Sequence, residues 1–380
     1  MQFTAKIDVL KKAMQVASQA IGEVADTIQS QAVVSVEADK VLIQATNEDK
    51  ISFMHIAVES QEGTGKFSVT PKTIQTLLSS ADTDVVRLQY DEAAKSLNVY
   101  ASEDKDAFVS LPSCDTTQFI SFDAELASAQ KIETIDSTVL ESGIDFMMGF
   151  ISQDGKKPKF SNMYIKEGVM YAANGSSRVG LFKNDELAKI YSVTFRRNML
   201  QSLMTFIDNA SPETVTIKET NRMTFFTSPD EKAGFGFRKP AVDMPKMPIT
   251  SEKPTCSGIS VDRAGLLKKL NRLGVSLKKD AGWLDIEVAG EVMTLKTVAE
   301  RPSIEHMACK VISGATPMSF MLDYATMKTV LALFKTTTID LFVDENNRGT
   351  IYNTAELLID EKVRKPFLAV ALMILPRRTV

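Results

Sequence analysis

Residues 74–81 read IQTLLSSA, and their apolar side chains recur at the i, i+3, i+4, i+7 spacing of a helix with one buried face. The same spacing returns in residues 200–207, LQSLMTFI, and again in residues 327–334, MKTVLALF. Each stretch begins about a third of the 380-residue chain after the one before it. The pattern therefore indicates a unit that is repeated three times along the chain.

The segments around these helices repeat as well. A strand-like run precedes each helix and two alternating runs follow it, as at residues 67–69, 86–90 and 97–100 in the first third. A second amphipathic helix is predicted earlier in each third. Its apolar positions are Leu10, Ala13, Ala17 and Ile21; Leu140, Gly143, Ile144 and Met147; and Leu267, Leu270, Leu273 and Leu277. Each third therefore reads β-α-β-β-β twice, which predicts an α+β fold.

The period far exceeds that of solenoid repeats, so the thirds are predicted to be three tandem domains. Their predicted bounds are residues 1–126, 127–252 and 253–380. Linker-like stretches at 112–130 and 240–254 separate them. The second stretch holds four prolines, which favour a stiff connector over the interior of a helix or strand.

The composition is that of a soluble globular protein with a net charge of −4. This mild acidity argues against a protein that binds nucleic acid over its whole surface, but it leaves room for a local basic surface. Cys114, Cys256 and Cys309 show no metal-binding spacing and suit a reducing compartment. Because the chain shows no signal-peptide pattern and no long apolar run, we expect a cytoplasmic protein, with no membrane partner.

No catalytic constellation stands out. His55 and His306 lie in strand-like surroundings without a neighbouring nucleophile or carboxylate pattern, so a structural role is favoured. Residues 62–67, EGTGKF, lack the glycine spacing and the Ser or Thr of a phosphate-binding loop. The acidic residues at 340, 344 and 345 flank a repeat strand and are interpreted as a solvated edge. The sequence therefore predicts no catalytic residue, no metal and no cofactor.

Basic residues recur on the predicted helices. They include Lys12, Lys72, the Arg196-Arg197 pair and three cations between residues 268 and 272, and a loop in the middle third reads KKPKF at 156–160. For any single residue, an ordinary solvated helix face is an equally good explanation. Their joint recurrence in an acidic protein favours one positive surface that contacts phosphates without reading base sequence.

Four segments, in order along the chain, make it resemble the bacterial-type DNA polymerase sliding clamps, the beta subunits or processivity factors. Residues 1–4 with the helix at 10–21 resemble the opening strand and helix of that family, and residues 67–72, FSVTPK, resemble a later strand and helix start. Residues 171–179, YAANGSSRV, are similar to its Ala-Thr-Asp-Gly-His-Arg-Leu segment, and residues 373–378, MILPRR, are similar to its ending. The length and the threefold repeat agree with a resemblance that runs nearly end to end.

The chain also departs from the family pattern. Residues 171–179 lack the usual Asp and His and are one residue longer, and Arg377 stands where an apolar residue is common. Thr379 and Val380 extend past the usual end. These departures mark a divergent member, such as a phage-encoded one.

The resemblance implies that the two helices of each domain line a central hole, with antiparallel sheets on the outside. Six helices packed about 9 Å apart would enclose a circle only about 17 Å across at their axes. Twelve would enclose about 34 Å, enough for a DNA duplex of about 20 Å with a layer of water. The chain is therefore expected to be half of a ring that closes as a head-to-tail homodimer around double-stranded DNA.

Site residues follow from the resemblance by position. The inner-face cations expected to meet DNA phosphates are Lys12, Lys72, Lys156, Lys157, Lys159, Arg196, Arg197, Lys268, Lys269 and Arg272. Short peptides of the DNA polymerase, the clamp loader and other partners are expected to bind a pocket at Phe160, Gly175, Val179, Leu181, Pro245, Pro248, Met373, Ile374, Leu375, Pro376 and Arg377. The subunit seam is expected to join Phe108, Val109 and Leu111 to Leu273 and Leu277.

Alternatives from other classes stay open. A repeat-built interaction scaffold would have the same helices and strands without encircling DNA. An enzyme with an unrecognised site would show a deep pocket with clustered carboxylates of shifted pKa. For the seam residues, and for Leu372 and Ile374 in the last strand, a plain core role is an equally good explanation.

Overall fold

The computed structural model describes residues 1–24, 27–38, 40–104, 106–154, 156–175, 177–188, 190, 192–247, 249–277, 282–314, 317–345, 348–360 and 363–374, with side chains except at 354–360, 363–366 and 374. The chain forms two compact units. The first unit comprises residues 1–137 and 198–240, and the second comprises residues 138–197 and 241–380.

Seven α-helices lie in the described residues. They are α1 Ile7–Ser18, α2 Pro71–Ser79, α3 Asp123–Ser128, α4 Ser137–Met148, α5 Arg197–Ala210, α6 Arg263–Gly274 and α7 Tyr324–Leu333. None of the helices in this described part of the chain is long and apolar enough to cross a membrane.

The described strands lie between and around these helices. They are β1 Gln2–Lys6, β2 Ala32–Val36, β3 Val41–Thr46, β4 Lys50–Ile56, β5 Ser60–Glu62, β6 Gly65–Val69, β7 Val85–Asp91, β8 Ser96–Tyr100, β9 Val109–Pro112, β10 Gln130–Asp136, β11 Asn162–Lys166, β12 Val169–Ala173, β13 Arg178–Asn184, β14 Ser192–Arg196, β15 Thr214–Glu219, β16 Met223–Thr227, β17 Ala233–Arg238, β18 Ser257–Asp262, β19 Trp283–Ala289, β20 Val292–Thr297, β21 Ile304–Ala308, β22 Lys310–Ser313, β23 Met318–Asp323, β24 Thr338–Val343, β25 Arg348–Asp360 and β26 Val363–Ile374.

The predicted order β-α-β-β-β is confirmed in both halves of every third. The middle third shows it without additions, as β10-α4-β11-β12-β13 followed by β14-α5-β15-β16-β17. The first and last thirds each insert one short strand between their halves, β5 and β22 respectively. The stretch predicted as the first linker holds the short helix α3, whereas the described residues of the second linker hold neither helix nor strand.

The buried face of α6 differs from the prediction. Leu266, Leu270 and Leu273 are buried, whereas Leu267 is only partly buried. Both leucines at 266 and 267 fit a helical period, so the pattern alone could not choose between them. The helix ends at Gly274, and Leu277 therefore lies beyond it rather than on its face.

The first unit is built on two sheets. The five-stranded sheet has the order β5-β1-β7-β8-β9, and the eight-stranded sheet has the order β10-β15-β16-β17-β4-β3-β2-β6. Helices α1 and α2 pack on each other, and Leu10, Ala13, Ile74 and Leu78 join one apolar core with the strands. In the eight-stranded sheet, β4 pairs antiparallel with β17, with Ile51 opposite Gly236.

The second unit is built in the same way. A nine-stranded sheet has the order β14-β11-β12-β13-β26-β25-β24-β18-β22, and a four-stranded sheet has the order β21-β20-β19-β23. Strand β13 pairs antiparallel with β26, with Val179 opposite Leu372. The pairs β4–β17 and β13–β26 carry hydrogen-bonded sheets across both predicted domain boundaries. The three-domain division at those boundaries stays a prediction.

Candidate functional site

Most of the predicted DNA-binding cations are exposed. Those that are exposed and form no ion pair among the described residues are Lys12, Lys72, Lys156, Lys157, Lys159, Arg196 and Lys268. They lie on α1, α2 and α6, in the loop before β11, and at the end of β14. Ammonium and guanidinium groups in such positions can exchange contacts along a phosphate backbone.

The remaining helices are not basic on their exposed faces. Helix α4 exposes Asp145, α5 exposes Asp208, and α7 exposes Ala325 and Thr329. The cations therefore concentrate on α1, α2 and α6 and do not recur equally on all equivalent helices.

Arg197 has a structural role that the sequence did not indicate. Its Nη1 donates to the backbone oxygens of Met148, at 3.2 Å, and Ile151, at 3.3 Å. Met148 is the last residue of α4, so the half-buried guanidinium satisfies a carbonyl that the helix end leaves without an intrahelical partner. Arg263 does the same at the end of α7, where Nη1 donates to Leu331 at 3.4 Å. The structure thus gives Arg197 a role at a helix end, and its contact with DNA phosphates stays a prediction.

We expect the two neighbouring arginines to separate in their effects. Arg197→Ala removes charged donors from half-buried carbonyls and should lower the free energy of unfolding by about 1–3 kcal/mol. Arg196→Ala removes an exposed cation and should change it by less than about 0.5 kcal/mol. Urea denaturation of both variants measures the difference, and an equal loss in the two would contradict this assignment.

Lys269 and Arg272 share one carboxylate. Lys269 Nζ lies 3.0 Å from Glu305 Oε2, and Arg272 Nη1 lies 3.2 Å from Glu305 Oε1. The hydrogen bond from Lys269, followed by the one from Arg272, holds the pKa of Glu305 below its usual range. Glu305 lies on β21, so the structure ties two predicted DNA contacts to a sheet strand, which their sequence positions did not indicate.

An apolar cluster on one face of the nine-stranded sheet brings several predicted pocket residues together. We call it the junction patch; it consists of Phe160, Val169, Tyr171, Ala173, Val179, Leu181, Met247, Ile249, Tyr352, Leu368, Val370 and Leu372. Phe160 also lies against Gly175, where an added Cβ would come within 2.7 Å of the ring atom Cδ2. Gly175 has a φ of +79°, so both its backbone conformation and its contact with the ring favour glycine.

The last strand contributes different side chains from those predicted. Val370 and Leu372 belong to the patch, and successive strand residues point to opposite faces, so Met373 lies on the other face and is 1% exposed. The structure therefore favours Leu372 over Met373 as the patch residue. Pro245 is partly buried and outside the cluster. Pro248, Leu375, Pro376, Arg377 and the side chain of Ile374 lie outside the described residues.

Of the twelve residues in the junction patch, the sequence predicted only Phe160, Val179 and Leu181 as pocket residues and missed the other nine. The alternation of apolar residues Leu368, Val370 and Leu372 could have predicted that these three side chains share one face of the last strand. No sequence pattern could have predicted that Tyr352 belongs to the patch, because it joins the patch by pairing with Val370 on the next strand. Burial raises the pKa of Tyr171, so this residue offers the patch a neutral ring at ordinary pH.

The predicted seam residues differ in exposure: Phe108 and Val109 are exposed, Leu111 and Leu277 are partly buried, and Leu273 is buried. Phe108 and Val109 are 52% and 45% exposed at the start of β9, an edge strand of its sheet. Leu273 is 1% exposed within the chain, so a core role is favoured for it. Ile304, which the sequence did not single out, is 52% exposed on β21, the edge strand of the four-stranded sheet. Two sheet edges with exposed apolar side chains are thus available for pairing.

Other titratable residues have ordinary partners. His306 Nδ1 lies 3.0 Å from the Thr294 hydroxyl, and burial lowers the pKa of His55. Asp340 pairs with Lys253 and Asp344 with Arg348. Within the described ranges, no group of three or more His, Cys, Asp or Glu is placed to hold a metal ion.

The chain is similar over nearly its whole length to solved DNA polymerase III beta subunits. The beta subunit of Thermotoga maritima is 15% identical, with a TM-score of 0.80 and 99% of both chains covered. The sliding clamp of Caulobacter crescentus is 16% identical, with a TM-score of 0.78 and 99% of this chain and 100% of the other covered. The sliding clamp of Pseudomonas aeruginosa bound to griselimycin is 13% identical, with a TM-score of 0.81 and 99% of both covered.

No protein-family model and no curated protein sequence matches the chain. At identities this low, the likeness to solved structures establishes the fold alone. The chain has the fold of the DNA polymerase III beta sliding clamps, which confirms the predicted fold class and the resemblance.

Proposed function

We propose that the chain is one subunit of a DNA sliding clamp that encircles duplex DNA and tethers a replicative polymerase. The observation that carries the proposal is the structural match to sliding clamps over 99% of the chain. The role is mechanical rather than enzymatic, and the protein would act on DNA in the cytoplasm.

Closure into a ring needs a second copy of the chain. One helix from each half of every third gives six, α1, α2, α4, α5, α6 and α7, and six at about 9 Å spacing enclose less than the width of a duplex. The exposed apolar residues at the edge strands β9 and β21 support a head-to-tail dimer in which β9 of one subunit meets β21 of the other.

Inside the ring, the DNA would be held by topology and only weakly by charge. The exposed cations on α1, α2 and α6 support this, because scattered lysines without base-reading side chains bind phosphates without fixing a register. Weak and exchangeable contacts permit sliding, whereas strong base contacts would hold the ring in one place. The test is retention on nicked circular DNA that is lost when the circle is cut.

The junction patch would dock the polymerase and the clamp loader through short peptides. Its partly buried rings, Phe160, Tyr171 and Tyr352, can accept apolar side chains without first unpacking a core. The sliding clamp of Pseudomonas aeruginosa was solved bound to griselimycin, which supports ligand binding by this fold.

Glu305→Gln should strengthen binding to DNA. The change frees Lys269 and Arg272 for phosphates, and each phosphate neutralised adds about 0.9 to the slope of log affinity against log salt. We expect affinity for a short duplex at low salt to rise several-fold, and the slope to steepen by about one to two. Fluorescence anisotropy over a salt series measures both quantities.

Glu300→Gln is the matched control, because it removes the same charge from an exposed residue of the same unit that holds neither cation. An equal rise in the two variants would point to net charge rather than to release of the two cations. No change in the Glu305 variant would contradict the placement of Lys269 and Arg272 on the DNA-facing side.

A further inference from the structure

The two units contain equivalent sheet junctions. Each third of the chain consists of two β-α-β-β-β halves, and strands from equivalent halves follow one another in the same order in the two larger sheets. The order is β6-β2-β3-β4-β17-β16-β15-β10 in the eight-stranded sheet and β14-β11-β12-β13-β26-β25-β24-β18 in the nine-stranded sheet. The pair β4–β17 therefore corresponds to the pair β13–β26, which carries the junction patch. Ile51 opposite Gly236 in the first unit corresponds to Val179 opposite Leu372 in the second.

Local structure supports the same correspondence. The Asn47 side chain accepts a hydrogen bond from the backbone of Lys50, the first residue of β4, at 2.8 Å. The Asn174 side chain accepts one from the backbone of Arg178, the first residue of β13, at 3.0 Å. In the turns before β4 and β13, an Asn side chain thus accepts a hydrogen bond from the backbone N–H of the first strand residue.

A short 3₁₀ turn also lies between α1 and β2 and between α4 and β11. It spans Ile28–Ser30 before β2 and Pro158–Phe160 before β11. In the second unit this turn supplies Phe160 to the junction patch. In the first unit, the equivalent turn should therefore border an equivalent site.

Part of the equivalent site is filled by the chain itself. A Cβ on Gly236 would come within 2.6 Å of Phe225 Cδ1, so the absence of a side chain there lets the Phe225 ring cover the strand. Phe122, Leu126 and Ala129, from the first linker and α3, then pack on Ile51, Met223 and Phe225.

The rest of the site remains open as a cavity of about 370 Å³. Its apolar wall includes Ile28, Phe119, Ile120 and Met223, and Ile120 is 58% exposed. A volume of this size lies at the low end for ligand pockets, about 300–1,000 Å³, and suits one or two side chains. The cavity therefore fits a short stretch of peptide rather than a folded domain.

Two arginines give the cavity a charge preference. Arg222 and Arg238 are both exposed and line it, and Arg222 has no ion pair among the described residues. Arg238 Nε lies 3.9 Å from Asp49 Oδ1, at the outer limit of an ion pair. Of the two acidic residues on the wall, Glu125 already accepts a hydrogen bond from the Thr220 hydroxyl at 3.1 Å, and Glu48 is exposed.

We propose that this cavity is a second docking site for short linear peptides, selective for a bulky apolar side chain next to a carboxylate. The apolar group enters between Ile28, Phe119 and Met223, and the carboxylate pairs with Arg222. The site goes beyond the proposed function, because neither the ring nor the junction patch requires it. Its ligands differ from those of the junction patch by needing the acidic group.

Methionine methyl NMR tests the proposal on the full chain without DNA or polymerase. The probe is acetyl-Leu-Phe-Asp-Asp-amide, and its uncharged counterpart is acetyl-Leu-Phe-Asn-Asn-amide. The Met223 methyl group reports on the cavity and the Met247 methyl group on the junction patch, with Met223→Leu and Met247→Leu fixing the assignments. We expect a saturable shift of Met223 with the acidic peptide, and at least about tenfold weaker binding of the uncharged one.

Arg222→Glu should abolish the Met223 shift, whereas Arg301→Glu, which makes the same charge change at an exposed residue of the other unit, should retain it. A shift of Met247 alone would mean that peptides use only the junction patch, and the proposal would be wrong. Equal shifts of Met223 with both peptides, or a shift that survives Arg222→Glu, would also overturn it. These readings do not depend on DNA, so they stand whether or not the chain proves to be a sliding clamp.

Discussion

A dimer that is cross-linked across the proposed seam is expected to stay on nicked circular DNA through a high-salt wash and to leave when the circle is cut. Charge contacts with phosphates weaken by orders of magnitude as salt rises, so a protein held by charge alone would be washed away from either form of DNA. A closed ring on a circle has no route of dissociation except breakage of the protein or the DNA. The difference between circle and line therefore isolates topology from affinity.

The cross-link is placed on the two exposed sheet edges. Val109→Cys on β9 and Ile304→Cys on β21 put one thiol on each of the two strands that meet at the proposed seam, once Cys114, Cys256 and Cys309 have been replaced. A bismaleimide with a flexible spacer joins them after the protein has been mixed with DNA. Gel filtration in high salt, before and after a single restriction cut, measures the protein that elutes with DNA.

The uncross-linked cysteine variant is the control for opening of the ring. It should be lost from the circle more quickly than the cross-linked form, since its seam can still open. Release of the cross-linked dimer from the intact circle, or its retention on linear DNA, would refute encirclement and favour the scaffold alternative.

The order of helices and strands was predictable because it depends on local periodicity. The apolar spacing of α2, α5 and α7, and the alternation in the strands that follow them, are properties of neighbouring residues. The pairing of β4 with β17, and of β13 with β26, was not predictable in this way. It joins residues far apart in the chain, and no short-range pattern specifies which strand edges meet.

The candidate sites show the same division. Exposure of cations such as Lys12 and Lys268 follows from their positions on amphipathic helices. The partners of Arg197 and Arg272 could not be predicted, because the carbonyl of Met148 and the carboxylate of Glu305 reach them only through tertiary structure. The sequence thus predicted which cations lie at the surface, whereas the tertiary structure determines which of them are paired with other groups of the chain.

The largest effect on polymerase function is expected from a charge in the junction patch. Tyr171 and Leu368 are partly buried members of the patch, so Tyr171→Glu with Leu368→Glu places two carboxylates where a partner peptide would bury apolar groups. Burying an unpaired charge in an apolar contact costs several kcal/mol, and about 3 kcal/mol already weakens binding about a hundredfold. Polymerase-dependent synthesis on primed circular DNA should therefore fall almost to the level without the clamp.

The measurement is the length of DNA made by the replicative polymerase of the source organism with its own loader. Ser192→Glu is the control for added negative charge on this sheet, because it places one carboxylate at an exposed position on β14, outside the patch. Dimer mass by light scattering, and retention of the cross-linked ring on nicked circles, should stay unchanged in both variants. Normal stimulation by the patch variant would refute the docking role of the patch. Loss of the dimer or of retention would show instead that the two carboxylates had disturbed the fold, because the patch lies on a face that the proposed seam does not use.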